Sequence, residues 1–246
     1  MEHVWPDWLR KHLGVREAFD HTHLIERHGA VSDSLKWNAK PFTMGANAVC
    51  AKCNNGWMSQ LEQATKVLLL GMVDGRGREL HRGGQHNLAV WALLKTMIFD
   101  QASPQDSRAV FPSFYEYLFK TTELPPGVWI WLSSYIGEMP GFTSFAAMEV
   151  TPRGEADPPD RNVFIRTFSL GPVVFQVFGT TNPQLEEMKV GWPSIDSSVR
   201  PPIHQIWPFT SSITWKPTPG LDDDGLLWFS NTIVASLVAV SERFDP

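Results

Sequence analysis

Apolar residues recur with different periods along the chain. Trp57, Leu61, Ala64 and Leu68 fall at three- and four-residue spacing, which predicts a helix over 54–72. Segment 87–101 is apolar on nearly every side and predicts a central, buried helix. Phe114, Tyr115, Leu118 and Phe119 give a helix over 112–122 an aromatic face. The period then changes. Segments 127–136, 142–150, 162–170 and 172–180 are aromatic and β-branched, broken by Gly and Pro, and predict a half-buried antiparallel sheet. Leu170, Gly171 and Pro172 form the tight turn between the last two. A last apolar run predicts a helix over 225–243, with Asp222, Asp223 and Asp224 at its positive end.

The N-terminal part is more polar. A short helix is predicted over 6–13, where a proline near the start does no harm because its missing N–H has no partner there anyway. An extended run follows at 41–49. Residues 14–40 are polar and His-containing, with some helix expected within 16–27. Farther on, 151–160 is a Pro-rich acidic loop, 183–189 is a helical turn at most, and 193–219 is irregular or extended. Turn residues cluster at 74–78 and 82–84 and set a boundary between a unit over 1–73 and a unit over 87–246. The fold class is α+β.

Composition narrows the function. Eleven Trp and fifteen Phe promise a well-filled core. A net charge of −5 counts against a generally basic nucleic-acid binder. The charge is uneven, however. The first 66 residues carry eight Lys/Arg and seven Asp/Glu, and the remainder thirteen and nineteen. Arg10, Lys11, Arg16 and Lys52 therefore leave the N-terminal part able to meet phosphate. Two cysteines do not make a disulfide scaffold. No cationic apolar leader opens the chain, and 225–240 is shorter than the roughly 20 residues of a membrane span. No membrane partner and a cytoplasmic location are expected.

Both cysteines lie in the stretch Val49-Cys50-Ala51-Lys52-Cys53-Asn54-Asn55-Gly56-Trp57-Met58, where an extended run meets a helix. Two thiolates at such a turn can grip one side of a tetrahedral zinc. The alternatives are a redox dithiol at a helix start, a position that lowers thiol pKa but would need a βαβ context that the next hundred residues do not supply, and inert cysteines; zinc is the reading favoured. Asn54 falls in the first helical turn beside them. At the other end of the segment stands Glu2-His3-Val4-Trp5-Pro6-Asp7-Trp8-Leu9. His3 beside Glu2 reads either as a catalytic pair or as a solvated chain end. His21 and His23, two apart, suit one face of a strand or a polar loop. His28, His81, His86 and His204 carry no partner signal.

The two stretches together, Glu-His-Val-x-Pro-x-Trp-Leu and Val-Cys-x-x-Cys-Asn-Asn-Gly-Trp-Met-x-x-Leu-Glu, resemble bacterial and phage HNH endonucleases with a ββα-metal (His-Me) finger. A fainter likeness continues through 89–96, 125–132 and 204–208. The resemblance implies an N-terminal ββα finger, a helix-plus-antiparallel-sheet region after it, and cleavage of nucleic-acid phosphodiesters, with DNA the expected partner. It makes His3 the general base, Glu2 a metal ligand and Asn54 the ligand on the helix for Mg2+ or Mn2+. It makes Cys50 and Cys53 ligands of a structural Zn2+. The family's middle Asn would be Asn38 or Asn47. The chain departs from the family in lacking a second Cys-x-x-Cys ahead of Glu2. Either residues upstream of Met1 supply it, which is the reading favoured, or His21 and His23 close the zinc site, or zinc is absent. The competing class is an inactive HNH-like binding or scaffold protein with a residual zinc knuckle.

Overall fold

The computed structural model describes residues 2–13, 19–27, 30–39, 45–46, 49–139, 141–148, 150, 161–183, 185 and 203–242. The described residues form an α+β protein of helices and antiparallel sheet. They group into two compact units, 1–70 with 86–125, and 71–85 with 126–246. This grouping differs from the boundary drawn between 73 and 87. The helix expected to open the second unit belongs largely to the first.

In the first unit β1 (Glu2–His3) pairs antiparallel with β4 (Gly45–Ala46), Glu2 opposite Ala46 and His3 opposite Gly45. Helix α1 (Asp7–Leu13) begins just after Pro6, whose carbonyl accepts from Leu9 N at 3.0 Å. Between α1 and β4 in the chain lie β2 (Phe19–Arg27) and β3 (Ala30–Ala39), an antiparallel hairpin paired from Phe19↔Ala39 to Arg27↔Ala30 with a register shift between Ile25 and Glu26. The helix expected within 16–27 is thus replaced by strand. Residues 28–29 lie outside the described residues. The second strand expected over 41–49 is seen as β4, and 41–44 and 47–48 lie outside the described residues.

The helical segment after β4 has three parts. These are α2 (Ala51–Cys53), a π-helical turn (Asn54–Met58) and α3 (Ser59–Val73). The kink falls at Gly56, whose φ −99° and ψ −117° leave the helical region. Gaps in the i→i−4 ladder of this type are a recognised cause of helix kinks. Helix α4 (Arg82–Ala102) starts earlier than the Gly83-Gly84 pair suggested, and α5 (Pro112–Thr121) completes this unit. Every residue of α4 from Leu88 to Asp100 is buried. The N-terminal segment lies on it. Trp5 stacks on Trp91 at 6.4 Å between centroids and meets Phe99 edge-on at 5.0 Å, while Val4 and Leu9 are fully buried. Trp57 on the π-helical turn meets Phe119 of α5 edge-on at 5.6 Å. The Val-x-Pro-x-Trp-Leu and Gly-Trp-Met residues are therefore packing residues.

The second unit is built on β6 (Val128–Ser134), β7 (Thr143–Met148), β8 (Val163–Leu170), β9 (Val173–Thr180) and β10 (His204–Trp207). They form one antiparallel sheet in the order β10-β6-β9-β8-β7. Every residue of β8 and β9 is buried, so the centre of the sheet is covered on both faces rather than half-buried. Buried Gln176 on β9 uses its Nε2 twice, donating to Thr167 Oγ1 at 3.0 Å and to the Phe229 carbonyl at 2.8 Å. Phe229 lies on α6 (Asp223–Glu242), which with Trp131, Ile165 and Phe178 makes the core. Asp222 caps that helix, accepting from Gly225 N at 2.7 Å, and Asp223 receives the Tyr135 hydroxyl. The stretch expected to be mostly irregular or extended up to 219 contains the strands β10 and β11 (Ile213–Trp215), the latter paired with β5 (Arg78–Leu80). The loop expected at 151–160 lies outside the described residues. Among the described residues no helix is long and apolar enough to cross a membrane.

Candidate active site

All the residues singled out by the motif fall in the first unit. Glu2 and His3 form β1, and the strand's position beside β4 leaves His3 exposed and Glu2 half-buried. Asn54 opens the π-helical turn, half-buried, with its backbone N–H donating to the Cys50 carbonyl at 3.0 Å. β1 and β4 pair antiparallel, with α1, β2 and β3 between them in the chain, and the kinked helix follows β4. Asn38 lies on β3 opposite Asp20, and His21 and His23 lie on β2 opposite Trp37 and Leu35. Asn47 lies outside the described residues.

The cysteines flank α2. Cys50 is its N-cap, and its sulfur accepts from the Cys53 backbone N–H at 3.3 Å. That hydrogen bond pulls the Cys50 thiol below its ordinary pKa, because it favours the thiolate. The Cys53 thiol is pushed up, chiefly by its own hydrogen bond to the Cys50 sulfur. Both thiols are free. They supply two soft donors of the kind zinc prefers, half of a closed tetrahedral set. Among the described residues no group of three or more His, Cys, Asp or Glu is arranged to hold a metal.

The polar cluster that does form is one the motif did not announce. Lys95, in the middle of α4, has a side chain only 1% exposed. Its ammonium donates to Glu2 Oε1 at 3.3 Å and to the His3 carbonyl oxygen at 3.4 Å. Glu62 Oε2 on α3 lies 3.8 Å away, and the face of Trp91 lies 5.8 Å from Nζ. Two carboxylates from separate elements thus converge on one buried cation, as a desolvated charge requires. Burial raises the pKa of Glu62. The Lys95 charge opposes that shift and the Glu2 charge adds to it. Glu2, read as a metal ligand, has one carboxylate oxygen directed to an ammonium here.

The sequence carried one signal for this cluster. Between Leu88 and Phe99 the only charged residue is Lys95, and a single charge inside an otherwise apolar helix needs a buried partner. His86 also has a partner that the sequence did not announce, Glu123 at 2.8 Å. Comparison of the chain with family models, with curated proteins and with solved structures finds no match.

Proposed function

We propose that the chain is a metal-dependent HNH-type endonuclease that hydrolyses phosphodiester bonds of nucleic acid, with DNA the expected substrate, in the cytoplasm. The observation that supports this reading is the placement of His3. It stands exposed on a strand paired with β4, ahead of a helix that begins with the Cys-x-x-Cys-Asn turn. A phosphodiester repels nucleophiles through its own charge, so hydrolysis needs an activated water held in line. A neutral imidazole, with a pKa of roughly 6.5 in the ordinary case, can take that water's proton near neutral pH. The resemblance gives Glu2 and Asn54 the task of holding Mg2+ or Mn2+. When bound, such a cation offsets charge on the scissile phosphate and the leaving oxygen. Zinc at Cys50 and Cys53 would be structural.

A second reading is favoured by one observation. The Glu2 carboxylate is engaged by Lys95, which suits an HNH-like scaffold that binds partners without cutting. Plasmid nicking with Mg2+ or Mn2+, with and without chelator, separates the two readings. The nuclease reading expects metal-dependent nicks that His3→Ala slows by about 10²–10⁴-fold, the usual contribution of a general base. Nicking at the same rate by His3→Ala removes His3 from the mechanism. No metal-dependent nicking by the wild type leaves the scaffold reading.

A further inference from the structure

We infer that Lys95 is the positioning residue of the Glu2–His3 strand, holding the candidate base in place from the opposite side of the strand's backbone. The inference rests on the nuclease reading only for the role of His3. The anchoring itself is a statement about this chain's packing.

The β1–β4 ladder is two residues long on each strand, which is little to fix a strand. Among the described residues, apolar packing of this segment begins at Val4 and Trp5. Glu2 and His3 therefore need another hold, and Lys95 supplies it. One ammonium meets the Glu2 side chain and the His3 main chain together, at 3.3 and 3.4 Å. Two attachments on consecutive residues fix both the height and the rotation of the strand over α4, which a single contact could not do. His3 is exposed although its carbonyl is tied to a side chain that is only 1% exposed. Glu62, at 3.8 Å, is the more distant counter-ion and keeps the ammonium from resting on Glu2 alone.

Stability gives no reason for a charge at this position. Apolar residues in place of Lys95, Glu2 and Glu62 together would remove the buried charges at once. Replacing a buried ion pair by well-packed apolar residues is often neutral or stabilising. What the ammonium adds is direction. Three N–H donors select one arrangement of the oxygens around them, whereas a methyl group accepts many. Outer partners of this type tune reactive groups they never touch. Lys95 acts through Glu2 and the His3 backbone and does not itself reach the reacting atoms.

The test uses the full chain carrying Lys95→Met and Lys95→Arg. Hydrogen exchange of the His3 and Val4 amides, followed by NMR, reads the anchoring directly. Plasmid nicking at saturating metal, resolved into kcat and KM, reads its consequence. Lys95→Met is expected to accelerate exchange at His3 and Val4 by at least about tenfold relative to Leu93. It is also expected to lower kcat by about 10–100-fold, the usual cost of losing an outer partner, with KM little changed. Lys95→Arg keeps the charge and is expected to recover part of both losses. If Lys95→Met fails to fold, Glu2→Gln in the full chain replaces it, weakening the same contact at a half-buried side chain; faster exchange at His3 is again expected. Unchanged exchange in a folded Lys95→Met chain, or in Glu2→Gln where that variant replaces it, overturns the inference. So does equal loss with Lys95→Arg and Lys95→Met. Should no form of the chain cut nucleic acid, the nuclease reading falls, and the exchange measurement decides the anchoring by itself.

Discussion

Asp100 closes the helix that carries Lys95, and its removal should be among the costliest single changes in the first unit. The residue is 1% exposed. Its Oδ1 accepts from Ala109 N at 2.8 Å and Val110 N at 3.3 Å, and its Oδ2 accepts from the Tyr115 hydroxyl at 2.9 Å. The carboxylate thus ties the end of α4, the following loop and α5 together. Asp100→Ala leaves both N–H groups without that acceptor, at about 1–3 kcal/mol each for buried donors. The Tyr115 hydroxyl retains the Met97 carbonyl at 3.2 Å, so it is not orphaned. The Val110 bond is long and contributes at the low end. The expected loss is about 3–5 kcal/mol, in line with breaking a buried charged network. Asp100→Asn keeps one acceptor oxygen for Ala109 and should lose about 1–2 kcal/mol, closer to the net worth of a single bond. Burial and the Asp100 charge both raise the Tyr115 pKa, so the same substitution should lower it. Urea unfolding, read by hydrogen exchange of amides in 86–125, measures the first unit specifically. An Asp100→Ala chain within about 0.5 kcal/mol of wild type, the range of an ordinary surface change, would refute the reasoning.

Glu62 has a folded-state pKa above its unfolded value, so its contribution to stability is full below the ordinary value of 4.5 and is lost as pH rises through the raised one. Glu62→Gln, always neutral, should flatten that fall in stability and leave the chain at least as stable at pH 7; thermal melts between pH 4 and pH 8 that keep the wild-type slope would count against it. Gly127 has φ +73°, and a Cβ there would lie 2.2 Å from the Thr180 carbonyl oxygen. Gly127→Ala should therefore lose more than the roughly 1–3 kcal/mol of a left-handed non-glycine residue alone, whereas Gly83→Ala, with open space on α4, should gain about 0.4–1 kcal/mol. Urea midpoints that rank the two variants the other way would contradict the backbone assignment.

The sheet strands and the long helices were legible because each carries its own pattern. β6, β8 and β9 are runs of β-branched and aromatic residues ended by Gly127 and Gly171, both at positive φ. The run Leu88–Phe99 declared a buried helix through its apolarity. The β2–β3 hairpin did not declare itself. Its charged and His-rich strands lack the apolar alternation by which strands are recognised. The start of α4 was hidden by Gly83 and Gly84, which discourage helix locally. It is fixed instead by Gln85, whose Nε2 donates to the Leu80 and Ser211 carbonyls at 2.7 and 2.8 Å. At the candidate site the residue types were readable and their partners were not. Nothing near Glu2 in the chain points to a lysine 93 positions away.

That long-range pairing also bears on where the N-terminal unit ends. A minimal ββα unit would carry its own small core, yet the motif residues here bury themselves on elements that follow. Trp5 lies against Trp91 and Phe99, and Trp57 lies against Phe119. Thr65 Oγ1 donates to the Asn87 carbonyl at 3.5 Å, and Glu2 meets Lys95. A segment of about 70 residues buries only some 60% of the surface its unfolded chain exposes, and its stability is correspondingly marginal. Here much of its apolar surface, and the partner of its first carboxylate, lie on α4 and α5. The boundary drawn at the Gly-rich turns therefore marks a break in sequence pattern without marking a break in packing. The aromatic residues of the two N-terminal motifs dock the strand–turn–helix onto α4 and α5, and Lys95 ties β1 to the same helix. Any chemistry assigned to His3 accordingly belongs to the whole unit of 1–70 with 86–125.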